Sequence, residues 1–394
     1  MVDQSLFKTQ KTTRPNAPAG QMGLAASDVP LKVLYVLPPS PHFAGMERVV
    51  HEVASGLATR YRGQIDVSVL YCYRYPELQG DLPYRPIWED AQQLRAFPFR
   101  VARWLRKESY DVIDVAQFEP TVLVWLCNRL WGGRARFVMH FHGNPKIEGT
   151  GSRRARIAFT LFNTLVPRMD KVVAVSPSLT RYIENRVGKR GWVDFLPNPV
   201  RQFDDVTRQP GRSGVVSFVS VGRLARQKGF DILIEALGKV VASGLDARLT
   251  IVGDGSEHEA LAAQIARLGL GDRVRLAGYI ASPSRELAEA DCFVSASRWE
   301  GFGVAIVEAM SAGLYVIATD CEFGPSDLID SPEKGQIVPS EDVDALASAM
   351  ATFVRAGDAE AGDRARREAA AVFSLDHVVQ QHAAMLRATA GRAS

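Results

Sequence analysis

Glu300 and Glu308 are separated by seven residues within the segment RWEGFGVAIVEAMSAG (298–313). An apolar run, ADCFVSAS (290–297), enters a Trp-Glu-Gly-Phe-Gly turn, and a helical pattern follows at once. Gly301 and Gly303 lack the Cβ atoms that would keep a ligand away from the backbone. The helix that starts there directs free N–H groups and its positive dipole end into the turn, an arrangement that favours phosphate. Glu300 lies in the loop before the helix, and Glu308 sits about 7–8 Å further along the axis at roughly 1.5 Å per residue. One carboxylate can face the reacting end of a long ligand while the other holds hydroxyls at its far end. That geometry suits a nucleotide-sugar, although two solvated acids on a capped βα unit would show the same spacing.

The surroundings decide between these readings. After Glu308 come Ala-Met-Ser-Ala-Gly and a buried strand, LYVIATD (314–320). The whole segment resembles the donor motif of the retaining, GT-B-fold glycosyltransferases of family 4: Glu-Gly-Phe-Gly, then Glu-Ala-Met-Ala-x-Gly, with Ser311 where alanine is usual. A second stretch, VGRLARQKGFDIL (221–233), resembles the same family's Gly-Arg-Leu-x-x-x-Lys-Gly. Two cations beside a helix start form a diphosphate site, Arg binding bidentately and Lys as a point charge. By the resemblance, Gly222 ends a strand, and Arg223 and Lys228 neutralise the departing diphosphate. Glu300 then lies by the donor sugar and Glu308 by the nucleotide ribose.

Further positions follow from the likeness. IVGDGSEHEAL (251–261) carries a Gly253-Asp254-Gly255 turn below the nucleotide base, with Ser256 as a cap for the next helix. Gly278 and Tyr279 offer backbone contacts to the base, and Gly301, Phe302 and Gly303 line the donor. In the first half, PPSPHFAGMER (38–48) has Ala44 in place of the family's first glycine but keeps Gly45 and Glu47, so Gly45 can admit a phosphate or the acceptor. HFHGNP (140–145) places His140 and His142 on one face of a strand. The likeness assigns ligand contact to His142 and leaves His140 as a core residue. A zinc site would need further ligands at suitable spacing, and none is visible; no Asp-x-Asp metal motif ends a strand either. Ser176 and Asn198-Pro199 also match family positions, but helix capping and turn chemistry account for them. Gly324-Pro325-Ser326-Asp327 is similar to a segment found in users of UDP-sugars, with aspartate for glutamate.

These residues need elements to hold them. At 394 residues the chain exceeds one ordinary core, so two domains are expected. Apolar strands alternate with helical stretches in both halves: 32–38, 66–72, 111–116, 136–141, 171–175 and 193–197, then 215–222, 248–253, 273–278, 291–296 and 315–319. Continuous apolar strands of this kind belong to parallel sheets covered on both faces. The expectation is an α/β, GT-B architecture: two Rossmann-like domains facing across a cleft that holds the active site. Residues 1–30 read as a disordered tail. An acceptor domain spans 31–199, a nucleotide-sugar domain 200–375, and a helix over 376–394 packs back across the hinge; the polar stretch 198–214 reads as the linker.

Composition narrows the setting. Four scattered cysteines without a Cys-x-x-Cys pair read as reduced thiols of a cytoplasmic protein. No apolar run reaches the length of a membrane span, and no nucleic-acid-binding motif occurs. Net charge is only +3, yet residues 31–200 hold 24 Lys+Arg against 15 Asp+Glu, and residues 201–394 hold 20 against 27. The basic excess includes LRAFPFRVARWLRK (94–107), where Phe97, Phe99 and Trp104 interleave with Arg95, Arg100, Arg103, Arg106 and Lys107. Arg153, Arg154 and Arg156 add to it. Basic helices with aromatic anchors either lie on anionic membranes or bury their apolar face on the sheet. The resemblance implies a metal-independent, cofactor-free, retaining transferase of cell-surface polysaccharide or lipopolysaccharide synthesis. It would take a nucleotide diphosphate sugar, UDP favoured, to a glycan or lipid-linked acceptor, in the cytoplasm or peripherally on the inner face of the cell membrane. A sugar-nucleotide epimerase of the same fold and a catalytically silent scaffold subunit are the alternatives.

Overall fold

A computed structural model describes residues 29–41, 43, 45–89, 96–148, 153–207, 214–358 and 361–392. The chain forms two compact units: one runs to Pro199 and resumes at Leu375, the other is Val200–Ser374. The expected tail lies outside the described residues up to position 28, as do Ala44 and Arg95.

In the first unit the strands are β1 (Leu31–Val36), β2 (Ile65–Tyr71), β3 (Arg85–Trp88), β4 (Val112–Ala116), β5 (Arg136–Phe141), β6 (Lys171–Ala174) and β7 (Asp194–Phe195). They lie in the order β3-β2-β1-β4-β5-β6-β7, and every pairing is parallel. The second unit has β8 (Val216–Val221), β9 (Ala247–Val252), β10 (Val274–Leu276), β11 (Cys292–Ser295), β12 (Tyr315–Asp320) and β13 (Gly335–Pro339). Its order is β10-β9-β8-β11-β12-β13, again all parallel. Both are doubly wound sheets whose strand order reverses once, between β1 and β4 and between β8 and β11. The crevice beyond the carboxyl ends at such a reversal is where α/β sheets bind ligands.

The sequence dictates these sheets by burial. All five residues of β4, VIDVA, are buried, as a strand covered on both faces requires. Helix Phe230–Ala242 covers the second sheet with Phe230, Ile232, Leu233, Ile234, Ala236, Leu237 and Val240. Ser176 caps helix Pro177–Val187, its Oγ accepting from the Leu179 N–H, and Gly188 ends that helix in the left-handed conformation. Helix Leu375–Ala390 belongs to the first unit, burying Val378, Val379, Met385 and Leu386 beside Val33, Tyr35 and Leu57. Each such burial is worth about 1.5–3 kcal/mol.

Two features differ from expectation. Strands β3 and β13 are absent from the apolar-run pattern; both lie at sheet edges and bury only some of their residues, so neither carries a continuous apolar run. The stretch that reads as a linker is largely part of the second unit. Val200 and Phe203 are buried, the Val200 N–H donates to Phe373 O at 2.8 Å, and the Phe203 N–H donates to Ser311 Oγ at 2.9 Å. Arg367 holds the carbonyls of Phe203, Asp204 and Val206. Residues 208–213 lie outside the described residues. The described cysteines are free, with Cys72, Cys292 and Cys321 buried.

Candidate active site

The second unit assembles its site at the β8–β11 reversal. After β8 a short 3-10 turn, Arg226–Lys228, ends at Gly229, which adopts φ +62°. A Cβ there would stand 2.0 Å from Ala296 O, so only glycine lets this turn touch the end of β11. The contact brings Lys228 Nζ to 2.6 Å from Glu300 Oε1. Ser297 Oγ donates to the same oxygen at 2.7 Å, and Thr319 Oγ1 donates to Ser297 O at 2.6 Å. Glu300 is buried in the loop before the helix. Lys228, Ser297 and Glu300 line one pocket with Ser220, Gly303 and Ile306.

The two loops are also tied together outside the ion pair. Arg298 grips Asp231 through two nitrogens, at 2.8 and 2.7 Å, and its backbone N–H donates to Gln227 O at 2.8 Å. Gln227 Nε2 donates in return to Trp299 O at 3.0 Å. Hydrogen bonding to Arg298 holds the Asp231 carboxyl below the usual carboxylate range, which keeps the clamp charged. Sequence reasoning missed Ser297, Arg298 and Asp231. The visible signal was a polar run directly flanking Glu300 and an acid in the first turn after Gly229.

Three of the glycines singled out in the sequence, Gly222, Gly253 and Gly278, lie just beyond the ends of β8, β9 and β10. Gly222 N–H donates to Val252 O at 2.9 Å, and Gly253 N–H to Gly278 O at 2.8 Å. Gly253 has φ +146°, and a Cβ there would meet Gly222 O at 1.9 Å, so these glycines close a tight backbone corner. Arg223 is exposed and makes no ion pair among the described residues. Glu308 is half-buried on helix Val304–Ser311, whose N-cap is Gly303. Two details correct the expectation. The Phe302 ring is a core group, buried edge-on against Phe373 at 5.1 Å between centroids, so only its backbone is left to meet a ligand. Ser256 caps nothing; the next helix starts at His258 without a side-chain cap.

The first unit gathers histidines. His142 directly follows β5, and its ring stacks on His140 with 4.0 Å between centroids. His142 Nδ1 is 3.1 Å from Asn198 Oδ1. His140 Nδ1 lies 3.4 Å from Asp114 Oδ2, and His382 Nδ1 lies 3.2 Å from the Tyr35 hydroxyl. Burial, then the neighbouring His140, holds His142 well below the usual histidine range. His140 is a core residue, as expected. Gly45 opens helix Gly45–Arg60, exposed, and a Cβ on it would meet nothing within 4 Å, so no packing requires glycine there. Among the described residues no group of three or more His, Cys, Asp or Glu side chains is placed to hold a metal ion.

Comparison with known proteins bears on both units. Residues 43–201 match the family described as Glycosyltransferase Family 4, and residues 216–356 match Glycosyl transferases group 1. An uncharacterized glycosyltransferase of Methanocaldococcus jannaschii is 38% identical over 283 residues, 64% of this chain and 69% of that one. A lipopolysaccharide core biosynthesis mannosyltransferase of Rhizobium meliloti is 29% identical over 57% of this chain and 64% of its own. The chain spans 33% of a poly(ribitol-phosphate) α-N-acetylglucosaminyltransferase of Staphylococcus aureus, at 29% identity. In structure it is similar to the lipopolysaccharide outer core galactosyltransferase WaaB (TM-score 0.73, 19% identity, 91% of this chain and 99% of that one). Anabaena HepE in complex with UDP gives a TM-score of 0.73 at 22% identity, covering 91% of this chain and all of that one.

Proposed function

Because the chain belongs to the family-4 glycosyltransferases of GT-B fold, we propose that it moves a sugar, with retention, from a nucleotide diphosphate sugar to an acceptor hydroxyl in cell-surface polysaccharide or lipopolysaccharide synthesis. The observation that carries the reading is the Lys228–Glu300–Ser297 cluster at the β8–β11 reversal, with Arg223 exposed on the same loop. A lysine ammonium has three donors. One meets Glu300, and two remain for diphosphate oxygens. Arg223 adds a second cation, exposed and without an ion pair among the described residues, and the helix at Gly303 adds its N-terminal dipole. Such groups stabilise the charge that develops on a departing diphosphate without a bound metal. In retention by front-face attack, the acceptor proton passes to the leaving phosphate as the new glycosidic bond forms and the old one breaks.

UDP is the favoured nucleotide. HepE was crystallised with UDP and with UDP-glucose, and Gly324–Asp327 is similar to a segment of UDP-sugar users. Glu308 is assigned to the ribose, the Gly253–Gly278 corner to the base, His142 to hydroxyls of the donor sugar, and Gly45 to the phosphate or the acceptor. Relatives named for lipopolysaccharide core and exopolysaccharide chemistry support a glycan or lipid-linked acceptor.

A membrane-proximal acceptor is further supported by the first unit's surface. Phe99, Leu126, Leu130, Trp131, Ile157 and Leu161 are exposed on or at the ends of three helices, of which Phe118–Leu130 touches both Phe97–Leu105 and Arg153–Thr160, with Phe99 and Trp131 edge to face at 6.4 Å. Arg100, Arg103, Arg106, Lys107, Arg129 and Arg156 are exposed on the same helices or at their ends. No helix among the described residues is long and apolar enough to cross a membrane. We therefore read the protein as peripheral on the anionic inner face of the cell membrane. The deciding experiment incubates purified protein with UDP-, GDP- and ADP-sugars, follows nucleotide release, and reads the anomeric configuration of any transferred sugar by NMR. Release from none of them would remove the transferase reading.

A further inference from the structure

We propose that Asn198 is a positioning residue that fixes the tautomer of His142, leaving the Nε2 lone pair to accept a hydrogen bond from a ligand hydroxyl. Asn198 is buried just beyond β7, and its Oδ1 lies 3.1 Å from His142 Nδ1. With the Asn198 amide placed oxygen-first against the ring, the oxygen has no proton to give, and Nδ1 carries it. A neutral imidazole protonated at Nδ1 is an acceptor at Nε2.

The setting behind the ring keeps it neutral. His140 stacks on His142, and His382 comes within 5.8 Å of His140 from helix Leu375–Ala390. The one carboxylate in this group, Asp114, lies against His140 at 3.4 Å, and Tyr35 lies against His382. The groups facing His142 are therefore two more imidazoles and a neutral amide, in a region where burial opposes charge. Among the described residues no carboxylate pairs with His142, so a second proton meets no anion there. The ring is built to accept, and it stops accepting when acid protonates Nε2. Its contact with a donor sugar rests on the transferase reading; its tautomer does not.

The test uses the full-length protein. Ring 15N NMR, with His142 assigned by its loss in His142→Gln, is expected to show Nδ1 protonated and Nε2 bare at neutral pH. A proton on Nε2 in the wild type, from either the other tautomer or an imidazolium, overturns the proposal. Asn198→Ala is expected to mix the tautomers and lower kcat/KM for the donor about tenfold. Asn198→Asp should restore the tautomer and move the acidic limb of the rate profile to higher pH, because a carboxylate now stabilises the imidazolium. His140→Phe should move the limb the same way by removing the imidazole that opposes charge on His142. Wild-type spectra and profiles in Asn198→Ala sink the assignment. Inactivity of the wild type on every nucleotide-sugar sinks the transferase reading instead and leaves the tautomer to be read.

Discussion

Lys228 Nζ and Glu300 Oε1 stand 2.6 Å apart, with side chains only 21% and 10% exposed, and Ser297 Oγ donates to the same carboxylate oxygen. Lys228 comes from the turn after β8 and Glu300 from the turn after β11, so one ion pair joins the two strands flanking the reversal. The pair sets where the cation sits before any donor arrives. It also makes each partner depend on the other, because a lone charge in this pocket has lost most of its water.

Breaking the pair should therefore cost more than deleting it. Removing one partner of a buried pair costs about 3–5 kcal/mol, while replacing both by neutral groups is far milder. Lys228→Met is expected to lower the urea midpoint clearly, and Lys228→Met with Glu300→Gln to recover much of that loss. Additive midpoints would mean that solvent screens the pair.

Arg223 should separate catalysis from stability. It is exposed and has no ion pair among the described residues, so Arg223→Ala should leave the unfolding midpoint unchanged. Loss of a positioned charge partner for the leaving diphosphate typically removes about 2.7–4 kcal/mol of barrier lowering, two to three orders of magnitude in turnover. Near-normal transfer by this variant would withdraw Arg223 from the diphosphate site.

Gly229 is the hinge of the same argument. At φ +62° a non-glycine residue costs about 1–2 kcal/mol in backbone strain alone, and the added methyl would collide with Ala296 O at 2.0 Å. Gly229→Ala should lower both thermal stability and donor turnover, since relief requires the Lys228 turn to lift from β11. Wild-type values for both would show that the turn can shift freely.

Much of this was legible beforehand, for identifiable reasons. Buried strands such as β4 announce themselves as unbroken apolar runs, and Lys228 and Glu300 sit in motifs dense with glycine and charge. The edge strand β3 does not: Arg85-Pro86-Ile87-Trp88 buries only Ile87, so it reads as a loop. Side-chain partnerships across distant segments are equally hidden. Asn198 reads as turn chemistry because nothing local reveals that His142, 56 residues earlier, meets it. The apparent linker misleads because its polar letters outnumber Val200 and Phe203, yet those two decide where it packs.

Activity should survive EDTA. In the proposed function, Lys228, Arg223 and the helix N-terminus at Gly303 are assigned the positive field that a divalent cation would otherwise provide. Turnover measured after exhaustive chelation should match the untreated enzyme within error. Complete loss, restored by manganese, would point to a metal-bridged donor site.

The surface of the first unit predicts how the protein meets its acceptor. Exposure selects the anchors: Phe97 is buried and Trp104 stacks on Tyr110 at 5.3 Å, whereas Phe99 and Leu130 are 58% and 81% exposed. Basic residues near an anionic surface contribute roughly 1 kcal/mol each. Wild-type protein should therefore co-sediment with phosphatidylglycerol-containing liposomes at low salt and release partly as ionic strength rises. Replacing Arg100, Arg103, Arg106 and Lys107 with glutamine should weaken the salt-sensitive part of that binding. Leu130→Ser with Trp131→Ser should weaken what persists at higher salt, because apolar insertion is not screened. Donor hydrolysis should be unaffected in both variants, as these side chains lie on helices outside the Lys228–Glu300 pocket. If the wild type ignores acidic liposomes at low salt, and instead sediments as a dimer that Leu130→Ser with Trp131→Ser dissociates, the patch is a self-association surface and the membrane reading is lost.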